Sequence, residues 1–227
     1  FQDMEKLGFH RNTLSYVERS IIDKETGREA THHVWVTSYS GCFASLLLAL
    51  GLTYGKRVEK ASNPVPDWIM NGSPLVKREF VAGFQGGDGS KIMWNKRHDK
   101  VKAGKFNLSR TMQHKVPEHA DSLMIFMNQI AQLMRELGID VLRVWQQPES
   151  EKRVIVRIDI SDAEENLLKY MEIIGYRYAT TKNTESLQLT EYIRYKQSKI
   201  EERVQFKEKV KNLTREGLRP AAISKQL

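Results

Sequence analysis

The stretch from Leu123 to Gly138 constrains the fold of this chain more than any other. Leu123, Phe126, Met127, Ile130, Leu133, Met134 and Leu137 recur three and four residues apart, so they share one side of an α-helix. Asp121 or Ser122 is expected to cap its start, and Gly138 closes it. The chain repeats this ending: Leu50-Gly51-Leu52 closes an earlier apolar run, Ser40–Leu50, as Leu137-Gly138-Ile139 closes the later one. Strand-like segments precede both, which predicts an internal duplication and makes Ser40–Leu50 an expected core helix. The composition can supply such a core, since 40% of the 227 residues are hydrophobic.

Further elements follow from local pattern. His33–Thr37 is a short β-rich run, and Asp23–Arg28 (Asp-Lys-Glu-Thr-Gly-Arg) predicts the turn of a hairpin before it. Over Asn63-Pro64-Val65-Pro66-Asp67-Trp68-Ile69 the two prolines are expected to forbid regular structure and fix an extended path, marking a boundary. A helix is expected over Leu75–Gly83, stopped by the glycines of Phe84–Ser90. Arg153–Ile160 has Val154, Val156, Ile158 and Ile160 in strand phase, and a helix around Glu164–Ile174 ends at Gly175. The four tryptophans are simplest as core or interface aromatics.

Several classes are excluded. No apolar run approaches the roughly 18 residues of a membrane span, so no membrane is expected as partner. Cys42 stands alone, which rules out an internal disulfide or a cysteine-based zinc site and suits an intracellular location, cytoplasmic or nuclear. The histidines have no helical metal-ligand spacing. Thirty-six Lys or Arg against 28 Asp or Glu leave a net charge of +8, which favours a polyanionic partner, nucleic acid first.

The segment Val81-Ala82-Gly83-Phe84-Gln85-Gly86-Gly87-Asp88-Gly89 resembles the motif of the LAGLIDADG homing endonucleases. Its flanks extend the likeness, which covers roughly Thr31 to Lys196 and comes nearest to intein endonuclease domains. Upstream stand Leu50-Gly51-Leu52, Gly55-Lys56, Pro66-Asp67-Trp68-Ile69 and Arg78-Glu79-Phe80. Downstream stand Ile173-Ile174-Gly175-Tyr176-Arg177-Tyr178 and Lys182. The resemblance implies an α+β fold of αββαββα units with a curved antiparallel DNA-binding sheet. It implies helices paired through Ala82 and Gly83, and Asp88 projecting beyond its helix end to hold Mg²⁺ with the Gly87 carbonyl. Lys182 and Lys56 would act beside the reacting phosphate. Gln85 and Gly86 depart from the pattern where many members carry a second acid.

On the same expectation the strands read double-stranded DNA. Around 105–115 the parity puts Phe106, Leu108 and Met112 on one face and Lys105, Asn107, Ser109, Thr111, Gln113 and Lys115 on the other. Asn107, Ser109, Thr111 and Gln113 would meet base edges, while Lys91, Lys96, Arg97, Lys105, Arg110 and Lys115 would meet phosphates. The implied function is a site-specific, metal-dependent double-strand DNA endonuclease. The alternatives are a non-cutting DNA-binding protein and an RNA-binding maturase on the same fold.

The implied domains are the remainder of a first half (1–62), a linker (63–74), a second half with the motif (75–189) and a basic helical tail (190–227). That tail holds ten basic and five acidic residues and resembles the opening of a helix-turn-helix. Asp88 lies 50 residues before Gly138, and the same offset from Gly51 reaches Phe1. A second motif is therefore expected upstream, or its place is taken by a second copy in a homodimer.

Overall fold

A computed structural model of the chain describes residues 5–9, 13–22, 27, 29–38, 41–52, 55, 57–95, 105–108 and 111–226. It divides into two compact units, 1–57 and 58–227.

In the first unit β1 (Thr13–Ile22) and β2 (Glu29–Ser38) form an antiparallel hairpin with Thr13 opposite Ser38 and Ile22 opposite Glu29. The connection falls where the turn is expected. Helix α1 (Gly41–Ala49) follows and ends at Gly51, whose φ of 98° lies in the left-handed region that favours glycine. The expected core role of α1 does not hold: none of its residues is buried, and Leu46 and Leu48 are exposed. A two-stranded ribbon offers too little apolar surface to cover a helix.

The second unit is organised around α4, and its elements run as follows. Helix α2 (Asp67–Met70) and α3 (Pro74–Asp88) come first, then strands β3 (Ile92–Asn95), β4 (Lys105–Leu108) and β5 (Thr111–Lys115). Next are α4 (Ala120–Glu136), β6 (Val141–Ser150), β7 (Arg153–Ile160), α5 (Glu164–Ile173), α6 (Thr180–Arg215) and α7 (Pro220–Gln226). The α+β class is as expected, but the order is helix, three strands, helix, two strands, helix. Strands β3 and β4 form a ribbon of their own, and β5, β7 and β6 form an antiparallel sheet in that order.

Leu123, Met127, Ile130, Leu133 and Met134 of α4 are wholly buried. They meet Val156 and Ile158 of β7 on the inner side of the sheet, with Val81 and Ala82 of α3 in the same core. Phe84 and Phe126 meet edge to face at 5.7 Å. The segment before α2 is tied to α4: Ser62 N–H donates to Ser122 Oγ (2.9 Å), Val65 N–H donates to Gln129 Oε1 (2.8 Å), and Val65 is buried. Gly138 ends α4 with φ 81°, and Gly175 ends α5 with φ 63°.

Four expectations need correction. Asp121 and Ser122 do not cap α4. A 3₁₀ turn over Pro117–His119 leads into the helix, so the cap position falls at His119 and Ser122 Oγ donates back to its carbonyl at 2.8 Å. The prolines do not exclude regular structure, because Pro66 sits at the cap of α2. Nor do the glycines stop α3: Gly86 and Gly87 remain helical and the chain leaves only at Gly89. Asp88 is thus the last helical residue rather than one projecting past the end. The tail helix also begins earlier, at Thr180, and spans 36 residues as α6. Ser186, Thr190 and Ile193 are buried along its first half, while nothing from Arg194 to Ala222 is.

The continuous polar face over 105–115 is also overturned. Strands β4 and β5 belong to different sheets, and within β5 the parity is inverted: Thr111 and Lys115 are buried and Met112 is exposed. Each inward polar group has a partner that makes its burial tolerable. Thr111 Oγ1 donates to Gln85 Oε1 at 2.8 Å, and Lys115 Nζ donates to the Lys60 carbonyl at 2.7 Å. Trp68, expected as a core or interface aromatic, is exposed and so lies outside the core. No helix among the described residues is long and apolar enough to cross a membrane.

Candidate nucleic-acid interface

The C-terminal end of α3 is held from three directions. From within, Gln85 is buried, with its amide nitrogen 3.9 Å from the Met134 sulfur and its oxygen occupied by Thr111 of β5. Gly89 makes that arrangement possible. A Cβ there would lie 1.9 Å from Gln85 Oε1 and 2.7 Å from the Gln85 carbonyl oxygen. From the side, Lys182 in the first turn of α6 donates to the carbonyls of Gly86 (2.8 Å), Gly87 (3.3 Å) and Gly89 (2.7 Å). An ammonium at this point satisfies orphan carbonyls and complements the negative end of the helix dipole. From the strands, Gln113 Nε2 donates to Asp88 Oδ2 at 2.7 Å. The product is an exposed carboxylate held by an amide, beside a lysine held by carbonyls.

Asp88, Gly87, Lys182 and Gln113 are therefore brought together, although they come from three elements. The remaining expected residues are scattered. Lys56, Lys96, Arg97, Ser109 and Arg110 lie outside the described residues. Lys105 and Asn107 are placed by backbone register alone, opposite Asn95 and Met93. Lys91 forms an ion pair with Glu185 of α6, and Thr111 and Lys115 point inward as described. Ala82 is sealed in the core rather than offered to another helix, while Gly83 is exposed, with the Tyr178 ring 3.8 Å from where its Cβ would be.

Beside this end, Glu79 accepts from Tyr178 Oη (2.7 Å), Arg78 (2.8 Å) and Arg177 (3.1 Å). The Tyr178 hydrogen bond, ahead of the two guanidiniums, holds its carboxyl below the ordinary value. Behind it, burial pushes the phenols of Tyr170 and Tyr176 up, so both stay neutral, and Tyr176 donates to the Ser90 carbonyl.

A second group of residues went unread in the sequence. The inner side of the β5–β7–β6 sheet carries Thr111, Val156, Ile158 and Val144 toward the helices, so Met112, Arg157, Trp145, Arg143 and Asp159 share the outer side. There Arg143 and Arg157 lie 5.0 and 5.3 Å from the Trp145 ring centre. Asp159 Oδ2 accepts from both Arg143 Nε (2.8 Å) and Trp145 Nε1 (2.7 Å). The tryptophans as a group are simplest as core or interface aromatics. The available signal was the strand parity of β7, which sets Arg157 opposite to Val156 and Ile158.

Comparison with curated proteins decides between the readings. The chain is 35% identical over 199 residues to a tRNA-splicing ligase RtcB of Methanopyrus kandleri, covering 86% of this chain and 19% of that protein. It is 33% identical over 204 residues to the protein of the same name from Pyrococcus abyssi, covering 88% and 21%. These relatives are named for RNA ligation. A replication factor C small subunit of Methanocaldococcus jannaschii is 26% identical over 204 residues, 87% of this chain and 10% of that protein. The chain thus spans about a fifth of the length of the RtcB proteins it matches. No family model matches it, and no solved structure does.

The names of these relatives correct the expectation drawn from the motif. None is named a LAGLIDADG or intein endonuclease, and the RtcB names concern RNA rather than double-stranded DNA. The DNA endonuclease, its non-cutting and maturase alternatives, and the missing half or second copy that its helix pair required are set aside with it.

Proposed function

We propose that residues 58–227 form an RNA-binding module carried within a longer RNA-processing polypeptide. The observation that carries this reading is the outer side of the β5–β7–β6 sheet, which presents two arginines and a tryptophan while α4 covers the inner side. Guanidinium and aromatic groups on an exposed sheet suit phosphates and unstacked bases. Similarity to proteins named as tRNA-splicing ligases supports RNA among the polyanions. Ligation itself is not assigned to these residues, because the chain is a minor part of those proteins and also resembles part of a differently named one.

The end of α3 has a subsidiary part in this reading. Magnesium needs oxygen ligands, and Asp88 supplies one carboxylate whose second oxygen is left by Gln113. The Gly87 carbonyl already accepts from Lys182, and the described residues hold no group of three or more acids, histidines or cysteines suited to a metal. The donor set fits an ion that arrives with an RNA phosphate, with Asp88 as its protein ligand and Lys182 keeping the helix end in place. The ion would supply charge neutralisation at that phosphate.

Binding of the full chain to a folded tRNA and to duplex DNA of similar length, titrated across salt, tests the reading. Tighter binding to the tRNA is expected, with a magnesium-dependent increment that Asp88→Asn removes. Equal or tighter binding to duplex DNA would overturn it.

A further inference from the structure

Arg157 stands at the middle of the central strand of its sheet, between Met112 of β5 and Trp145 of β6. The acids on this side are taken up: Arg143 pairs with Asp159, and Glu149 Oε2 of β6 lies 2.7 Å from His114 Nδ1 of β5, while Arg153 of the same parity stands exposed at the start of β7. Arg157 is the one set at the centre of the sheet. It is half-buried, its Nε is shielded from solvent, and no described acceptor bonds to it. Its guanidinium rests against the Trp145 ring, a contact that orients the group without meeting its hydrogen-bonding needs. A partly desolvated guanidinium with unmet donors is costly, and the planar fork of arginine matches a phosphate.

We infer that Arg157 is a phosphate anchor for a single-stranded segment of RNA, with Trp145 as the surface on which the neighbouring base stacks. This rests on the RNA-binding reading and deepens it. The charge balance names the ligand class, because Asp159 and Glu149 are already occupied and the charges left open among the described residues of β7's outer side, Arg157 and Arg153, are positive. The ring beside it favours an unstacked base over a paired one, since only a single strand can expose a base face next to its phosphate.

The test is fluorescence anisotropy of the full chain with a labelled 12-nucleotide single-stranded RNA and the matching RNA duplex across a salt series. Arg157→Gln is expected to weaken single-strand binding about tenfold and to reduce the salt slope by about 0.7, the contribution of one phosphate on a single strand. Trp145→Leu is expected to weaken binding by a similar factor with the slope unchanged. In the unsubstituted protein, single-stranded RNA should protect Arg157 from phenylglyoxal, read by mass spectrometry, a result independent of how well the variants fold. Unchanged affinity and slope in Arg157→Gln, absent protection, or preference for the duplex would overturn the inference while leaving RNA binding intact. Failure of the unsubstituted chain to bind any RNA would overturn the RNA-binding reading itself.

Discussion

Helices α1 and α4 end in the same turn and differ in everything that surrounds them. Gly51 (φ 98°) and Gly138 (φ 81°) follow the last helical turns. The Leu52 N–H donates to the Leu47 carbonyl at 2.9 Å, and the Ile139 N–H donates to the Met134 carbonyl at 3.0 Å. This six-residue closure is set by glycine and its apolar neighbours, so similar short sequences make it in both units. Burial is another matter. Helix α4 has a three-stranded sheet on one side and α3 on another, whereas the described part of the first unit holds a hairpin as its largest element. The turn is local in origin, and the core depends on what other segments bring to the helix.

The largest test of that difference is truncation inside each helix. Met127→Ala, at a fully buried position, is expected to cost about 2–5 kcal/mol, measured by urea denaturation of the second unit. Leu48→Ala in α1, 48% exposed, should change stability by less than about 1 kcal/mol and leave hydrogen exchange across β1 and β2 as it was. A loss at Leu48 matching that at Met127 would break the contrast.

The same distinction explains what could be read in the sequence. Strand β7 matches its expected bounds, and α4 and α5 end at the expected glycines, because apolar period and positive φ are properties of adjacent residues. Strand β6 was missed. Its pairing slips between Val141 and Arg143 and again between Pro148 and Ser150, and those irregularities erase the alternation that marks a strand. The inward turn of Thr111 and Lys115 was hidden too, since it depends on Gln85 and Lys60, far away in sequence. At the candidate site, Asp88, Gly87, Lys182 and Gln113 were each singled out and do converge. Arg157 and Trp145 were not, since their meeting requires a cross-strand pairing with a strand that had not been recognised.

The turns themselves supply the next test. Gly51→Ala and Gly138→Ala should each cost about 1–2 kcal/mol, because an added Cβ opposes a left-handed conformation equally in either place. Nothing lies within 4 Å of a Cβ at Gly138, so the expected cost there is conformational alone. Thermal melts and hydrogen exchange of each unit would check it. A much larger loss at Gly138 would show that packing, and not the backbone, decides that turn.

The smallest effect concerns charge. Helix α1 carries no ionisable acid or base from Gly41 to Ala49 apart from Cys42, whereas α4 is tied to α3 by Lys77 Nζ and Glu136 Oε2 at 2.7 Å. The Lys77 hydrogen bond, assisted by Gln132, holds the Glu136 carboxyl below its ordinary value of 4.5. A group whose value is lower in the folded state stabilises that state above its unfolded value. The contribution is lost as pH falls below about 4.5 through the folded value. Glu136 is partly exposed, so solvent screening limits the tie to about 0.5 kcal/mol. Urea midpoints of the second unit should therefore differ slightly between the natural chain and Glu136→Gln at neutral pH and converge as pH falls through the lowered folded value, with no matching change in hydrogen exchange across α1. A difference that persists unchanged at low pH would mean that Glu136 acts through packing, as the buried face of its helix does, and not through its charge.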